Sequence, residues 1–169
     1  MALYRQSELP LLVEEPIMRP KPLVAEVSVV AVPAASGARH ILLAEDTPTT
    51  QDLISILLKQ LGFEVTIVDN GQAAVDFLSK GKVDLIFMDC QMPVLDGLEA
   101  TAQLRALGIT TPIIALTANV RAEDELKCLA VGMNDFLSKP FRQSELREAL
   151  VRWLGADVLG KPSFAGSAR

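Results

Sequence analysis

From residue 40 to residue 154 the apolar positions alternate between two periods. Ile41-Leu42-Leu43-Ala44 is a short apolar run that ends in Glu45-Asp46. Beyond Thr49, Leu53, Ile54, Leu57, Leu58 and Leu61 recur at i, i+1, i+4, i+5 and i+8, which is one face of a helix. Thr49 with Asp52 reads as its capping pair and Gly62 as its stop. Phe63 to Val68 then reads as a strand, and Ala73 to Leu78 as a short helix after an Asn70-Gly71 turn. Val83 to Met88 is a strand apolar on both faces, closing on Asp89. A helix over Leu98 to Leu107 leads to a strand from Pro112 to Leu116, which closes on Thr117. Ala122 to Val131 is helical up to Gly132, Asp135-Phe136-Leu137 is a short strand before Lys139-Pro140, and Ser144 to Leu154 is the last helix.

Five strands alternating with five helices, the strands nearly continuous in apolar residues, predict a parallel sheet covered on both faces. The class is α/β, a doubly wound five-stranded parallel sheet with right-handed crossovers. Outside that stretch the pattern changes. Residues 1–39 carry five of the ten prolines (Pro10, Pro16, Pro20, Pro22 and Pro33), too closely spaced for a helix, and read as a proline-rich linker or arm. Within it, Leu23 to Val32 is apolar enough to be a docking strand, though Glu26 and Ser28 interrupt it. Residues 155–169 are small and polar and read as a flexible tail.

Composition narrows the function classes. Half of the 169 residues are apolar, enough for a core, and no run approaches the roughly 20 residues of a membrane helix. Sixteen Lys+Arg against 21 Asp+Glu give a net charge of −5, which argues against nucleic-acid binding through a basic surface. MALYRQSELP has no charged segment leading into a long apolar one, so export is not expected. Cys90 and Cys128 cannot make a disulfide framework and sit in apolar company; they read as small hydrophobes in a reducing cytosol, a cytoplasmic setting.

In open parallel sheets ligands sit beyond the carboxyl ends of the strands. Those ends carry Glu45-Asp46, Asp89, Thr117 and Lys139. Like charges about 4 Å apart repel by about 4 kcal/mol at an effective dielectric near 20. One ammonium cannot offset three carboxylates, whereas a hard divalent cation with oxygen ligands relieves the repulsion, and Mg²⁺ is the natural candidate. Phosphoryl transfer to a carboxylate uses all five groups. Asp89, on the central strand, is the expected nucleophile. Asp46 binds the metal directly, Glu45 acts through a water, and the carbonyl of Gln91 completes the shell.

The segments ILLAEDTPTTQ, DLIFMDCQMPVLDGLEAT, PIIALTAN and GMNDFLSKPF resemble the four signatures of two-component response-regulator receiver domains. The wording around Asp89 is most similar to receivers that work with hybrid sensor histidine kinases. The resemblance spans residues 40–154 and implies a flavodoxin-like sheet in the order 2-1-3-4-5. It makes Asp89 the phosphoacceptor, Glu45 and Asp46 the Mg²⁺ holders, Thr117 the switch hydroxyl, Lys139 the phosphoryl partner and Phe136 the switch aromatic. It also implies a cis bond between Lys139 and Pro140. Thr47 and Thr50 depart from the asparagines frequent in this subgroup. Gln91 and Asn119 fill the two positions that tune acyl-phosphate hydrolysis in the family, and neither is acidic.

The implied function is a phosphorelay receiver, not a turnover enzyme. An acyl phosphate adds about −1.5 to −2 charge. Drawing Thr117 toward it would let Phe136 turn inward and reshape the face built from the helix after Val120, the strand at Phe136 and the helix from Ser144. The stripe of Leu146, Ala149, Leu150 and Trp153 on that last helix reads as core. The sole histidine, His40, sits at the start of a strand, so the donor imidazole is expected on a histidine kinase or a histidine-phosphotransfer protein. SELPLLVEEP resembles the exit strand of a kinase ATP-binding domain, which makes the terminal module of a hybrid kinase the alternative. A haloacid-dehalogenase-type phosphatase would need Asp-x-Asp where this chain has Glu45-Asp46-Thr47. A pseudo-receiver binding module would have lost a charged site residue, and a stand-alone transcription factor would need a DNA-binding domain after Leu154.

Overall fold

The computed structural model describes residues 38–118 and 121–159. The expected arm up to residue 37, including Leu23 to Val32, Asn119, and residues 160–169 of the expected tail lie outside the described residues. In chain order the elements are β1 (His40–Ala44), α1 (Pro48–Gln60), β2 (Glu64–Val68), α2 (Gly71–Leu78), β3 (Leu85–Asp89), α3 (Gly97–Ala106), β4 (Ile113–Thr117), α4 (Ala122–Ala130), β5 (Asp135–Ser138) and α5 (Gln143–Leu154). Every strand pairing is parallel, and the order is β2-β1-β3-β4-β5, the flavodoxin-like arrangement.

Alternation along each strand divides the core into two layers. Ile41, Leu43, Leu85, Phe87, Ile114 and Leu116 point to the side covered by α1 and α5, where they meet Ile54, Leu58, Leu146, Ala149 and Leu150. Leu42, Ala44, Ile86, Met88, Ile113 and Ala115 point to the other side, against Ala74, Val75, Leu78, Ala100, Leu104 and Cys128 of α2, α3 and α4. β3 and β4 are buried at every position, as a central strand covered on both faces requires.

Local chemistry moves some element ends from their expected places. Helix α1 starts at Pro48 with Thr47 as its N-cap residue, and no side chain caps it. The Thr49–Asp52 capping pair is therefore not formed, because the fixed φ of Pro48 already suits the first helical turn. Gly62 does close that helix, at φ +90°. Asn70 is a true N-cap, not a free turn: its side chain accepts from the Ala73 amide at 2.8 Å, and α2 begins at Gly71. Ordered structure also continues past Leu154 into the segment expected to be tail. Ala156–Val158 form a 3-10 turn, Val158 and Leu159 pack on the α1/α5 layer, and Arg39 donates to the Leu154 carbonyl at 2.6 Å. Trp153 lies against that layer half-buried, with its Nε1 donating to Asp135 at 2.9 Å, which explains an indole at the edge of an apolar stripe. Among the described residues no helix is long and apolar enough to cross a membrane.

Candidate functional site

Because all five strands run the same way, β1, β3, β4 and β5 deliver their last residues to one edge. Glu45, the first residue after β1, is fully buried. Its Oε1 accepts from the Thr47 amide at 3.1 Å, and its carbonyl accepts from Gln51 Nε2 at 2.5 Å. Asp46 next to it is exposed and accepts from the Thr47 hydroxyl at 3.2 Å. Thr47 thus faces the acidic pair rather than its own helix.

Asp89 ends β3 and is buried. Its Oδ1 accepts from the Gln91 amide at 3.1 Å and its Oδ2 from Lys139 Nζ at 2.7 Å. The same Nζ donates to Glu45 Oε2 at 2.6 Å, so one ammonium bridges the ends of β1 and β3. Lys139 reaches them from the loop after β5, where its amide donates to the Thr117 carbonyl at 2.7 Å and its bond to Pro140 is cis. Thr117 is buried at the end of β4 and lines, with Asp89, Cys90, Gln91, Asp124 and Lys127, a cleft of about 270 Å³.

A glycine makes the β3–α3 corner possible. A Cβ on Gly97 would sit 2.0 Å from the Asp89 carbonyl oxygen and 2.9 Å from Met88 Cγ, so only a bare backbone lets α3 start this close to the phosphoacceptor candidate.

Charge at this edge is unbalanced. Burial would by itself lower the Lys139 ammonium, but its hydrogen bonds to Asp89 and Glu45 outweigh that and hold it above the usual lysine range. Burial pushes the Glu45 carboxyl up, and the Asp89 charge adds to this against the opposing hydrogen bond from Lys139. One oxygen from each of Glu45, Asp46 and Asp89 lies within 4.8 Å of the others. Three hard oxygen donors sharing more negative charge than one lysine offsets suit a hard divalent cation.

The expected residues Glu45, Asp46, Asp89, Thr117 and Lys139 are therefore brought together. Gln91 joins them through its amide, at the cleft wall. Phe136 is placed differently: it is half-buried on β5, opposite Ala115 and packed against the α2–α4 layer. Reading the sequence alone missed two features. Cys90 and Cys128 are in contact, Sγ to Sγ 3.6 Å, and burial pushes both thiols up, Cys90 far above its ordinary range. Arg105 of α3 ties three segments, donating to the carbonyls of Gly132 (2.9 Å) and Thr111 (3.0 Å) and to Asn134 Oδ1 (2.9 Å). No local pattern marks either, since both join elements distant in sequence.

Comparison with known proteins agrees with this geometry. The chain is 42% identical over 115 residues to transcription factor SKN7 of Saccharomyces cerevisiae, covering 68% of this chain and 18% of that protein. It is 43% identical over 125 residues to hybrid signal transduction histidine kinase B of Dictyostelium discoideum, covering 66% of this chain and 6% of that one. The chain thus spans less than a fifth of the length of these curated relatives. Among solved structures, the receiver domain of sensor histidine kinase PA1611 from Pseudomonas aeruginosa PAO1, with a magnesium ion coordinated in its active-site cleft, is 47% identical with a TM-score of 0.66, covering 71% of this chain and all of that one. A chain from the Saccharomyces cerevisiae complex of the histidine phosphotransfer protein Ypd1 with the receiver domain of its downstream response regulator Ssk1 is 32% identical with a TM-score of 0.66, covering 69% of this chain and 88% of that one. The response regulator receiver domain model matches residues 41–151. With its sheet order, its clustered strand-end acids and its bridging lysine all in the matched segment, the chain belongs to the response-regulator receiver domain family.

Proposed function

We propose that this receiver takes a phosphoryl group from a phosphohistidine onto Asp89, and that the donor is a histidine kinase or a histidine-phosphotransfer protein. The observation that carries the reading is the Lys139 ammonium held at 2.7 Å from Asp89 and 2.6 Å from buried Glu45, with Asp46 sharing the acidic cluster and Thr117 lining one cleft with Asp89. A carboxylate oxygen of Asp89 attacks phosphorus, the phosphorus–nitrogen bond breaks, and the imidazole leaves on the donor. Lys139 moves its hydrogen bonds from carboxylate to phosphoryl oxygen, and the Thr117 hydroxyl supplies a further donor. Mg²⁺ would be held by Glu45, Asp46, Asp89 and the Gln91 carbonyl, and when bound it neutralises charge on the transferring oxygens.

Phosphorylated Asp89 then biases a two-state equilibrium through Thr117 and Phe136, whose reading-out face is α4, β5 and α5. The chain turns over no substrate of its own; it carries the group and loses it to water. The setting is cytoplasmic, and the relatives named as kinases support a protein donor. The test incubates the purified protein with Mg²⁺ and acetyl phosphate and measures intact mass. One added phosphoryl group, absent in Asp89→Asn and in excess EDTA, is the expected result. Modification that persists in Asp89→Asn would overturn the assignment.

A further inference from the structure

Cys90 and Cys128 are the only cysteines of the chain and lie 38 positions apart in sequence, yet their sulfurs touch at 3.6 Å. Cys90 follows Asp89 directly, on the loop between β3 and α3; Cys128 is on the core-facing side of α4. A disulfide has its sulfurs about 2.05 Å apart, so the pair must close by about 1.5 Å. Cys90 is partly exposed, and both residues line the cleft of about 270 Å³ that also holds Asp89, Thr117 and Lys127. A small oxidant entering that cleft meets Cys90 first.

We propose that Cys90 and Cys128 form a redox modification site, in which a hydroperoxide joins them as a disulfide that staples α4 to the loop carrying Asp89 and slows phosphoryl entry. The Cys90 sulfur, having given up its proton, attacks the peroxide oxygen. The O–O bond breaks, leaving a sulfenic acid on Cys90 and one molecule of alcohol or water. The Cys128 sulfur then attacks the Cys90 sulfur; the S–S bond forms, the S–O bond breaks, and the hydroxyl leaves as water with the Cys128 proton. Two thiols lose two electrons and two protons to one hydroperoxide, and a dithiol reductant reverses the change.

The bond would act on function because it crosses the wall of the cleft. Drawing α4 toward the loop narrows the space beside Asp89 and Thr117 and fixes one edge of the α4–β5–α5 face. That consequence rests on Asp89 being the phosphoacceptor; formation of the bond does not.

The full chain, reduced and then incubated with hydrogen peroxide, is followed by intact mass and by peptide mapping without reductant. The expected product is a monomer lighter by two hydrogens, with the Cys90 and Cys128 peptides linked, that returns to the starting mass in dithiothreitol. Oxygen added to either sulfur without linkage, or linkage only between chains, overturns the proposal. The oxidised monomer should melt about 5–15 °C higher, as a cross-link across a loop of this length implies. Its rate of labelling by acetyl phosphate should fall about tenfold or more, since ångström-scale displacement at a reacting group costs that much. Equal rates in the oxidised and reduced forms would overturn the functional half. Cys128→Ala should label normally and lose its sensitivity to peroxide, and retained sensitivity would point to another group. If even the reduced protein takes no phosphoryl group while the linked peptides appear, the phosphoacceptor reading has failed and the disulfide has not.

Discussion

Replacing Asp46 by Asn changes one exposed charge and little else, because the Asn Oδ1 still accepts from the Thr47 hydroxyl. In the wild-type protein without a divalent cation, Asp46 faces two other carboxylates, Glu45 and Asp89, with oxygens no more than 4.8 Å away. At that separation each pair repels by about 1 kcal/mol in a water-like dielectric and by about 3.5 kcal/mol at an effective value of 20. Exposure of Asp46 puts it near the aqueous end, and physiological salt screens roughly half of what remains. The two pairs together therefore predict that Asp46→Asn stabilises the protein by about 1 kcal/mol in EDTA, a rise in Tm of about 4 °C. Magnesium should reverse the ranking. Wild-type protein at a hundredfold excess over Kd gains about 2.7 kcal/mol, whereas the variant has lost one ligand oxygen's charge and gains less than half of that. Thermal melts followed by circular dichroism, in EDTA and in MgCl₂, give the four numbers of this cycle. If the variant melts no higher than wild type in EDTA, and magnesium lifts both equally, the three acids do not share one ion and the electrostatic argument for the site is wrong.

Other outcomes follow from individual contacts. Gly97→Ala forces a methyl group to within 2.0 Å of the Asp89 carbonyl oxygen, so the urea midpoint should drop by the equivalent of about 2–4 kcal/mol and acetyl phosphate labelling should slow; an unchanged midpoint would show that the corner can relax freely. Lys139→Met leaves buried Glu45 and Asp89 without their shared ammonium and should cost about 3–5 kcal/mol at pH 7. The Lys139 ammonium is held above its unfolded value of 10.5, so its contribution is complete below that pH and is lost as pH climbs through the folded value. Urea midpoints taken across that alkaline range should fall in wild type, with no corresponding fall in Lys139→Met. Arg105→Met removes the donors to Gly132, Thr111 and Asn134 and should cost about 2–4 kcal/mol, with faster amide exchange at Ile113, whose partner is the same Asn134 side chain, and with labelling of Asp89 within about twofold of wild type.

The local pattern of the chain was enough for the order and type of the ten main elements of the described residues, because strand and helix periods are local properties and each run is strongly one or the other. It also determined which residues stand at the strand ends, and in a parallel sheet those ends must share an edge, so Glu45, Asp46, Asp89, Thr117 and Lys139 could be grouped before any coordinates. Tertiary structure alone decided the rest. That Lys139 bridges Glu45 and Asp89, and not one of them, depends on the path of the loop after β5. That Phe136 packs half-buried on the α2–α4 layer depends on what surrounds a four-residue strand. The start of α1 is an exception with a local cause: it falls at Pro48, with Thr47 as the N-cap residue and not Thr49, because a proline's fixed φ already suits the first helical turn. The meeting of Cys90 with Cys128, and of Arg105 with the turn before β5, joins segments that no pattern of neighbours along the chain connects; such contacts exist only once the sheet and its covering helices have closed on one another.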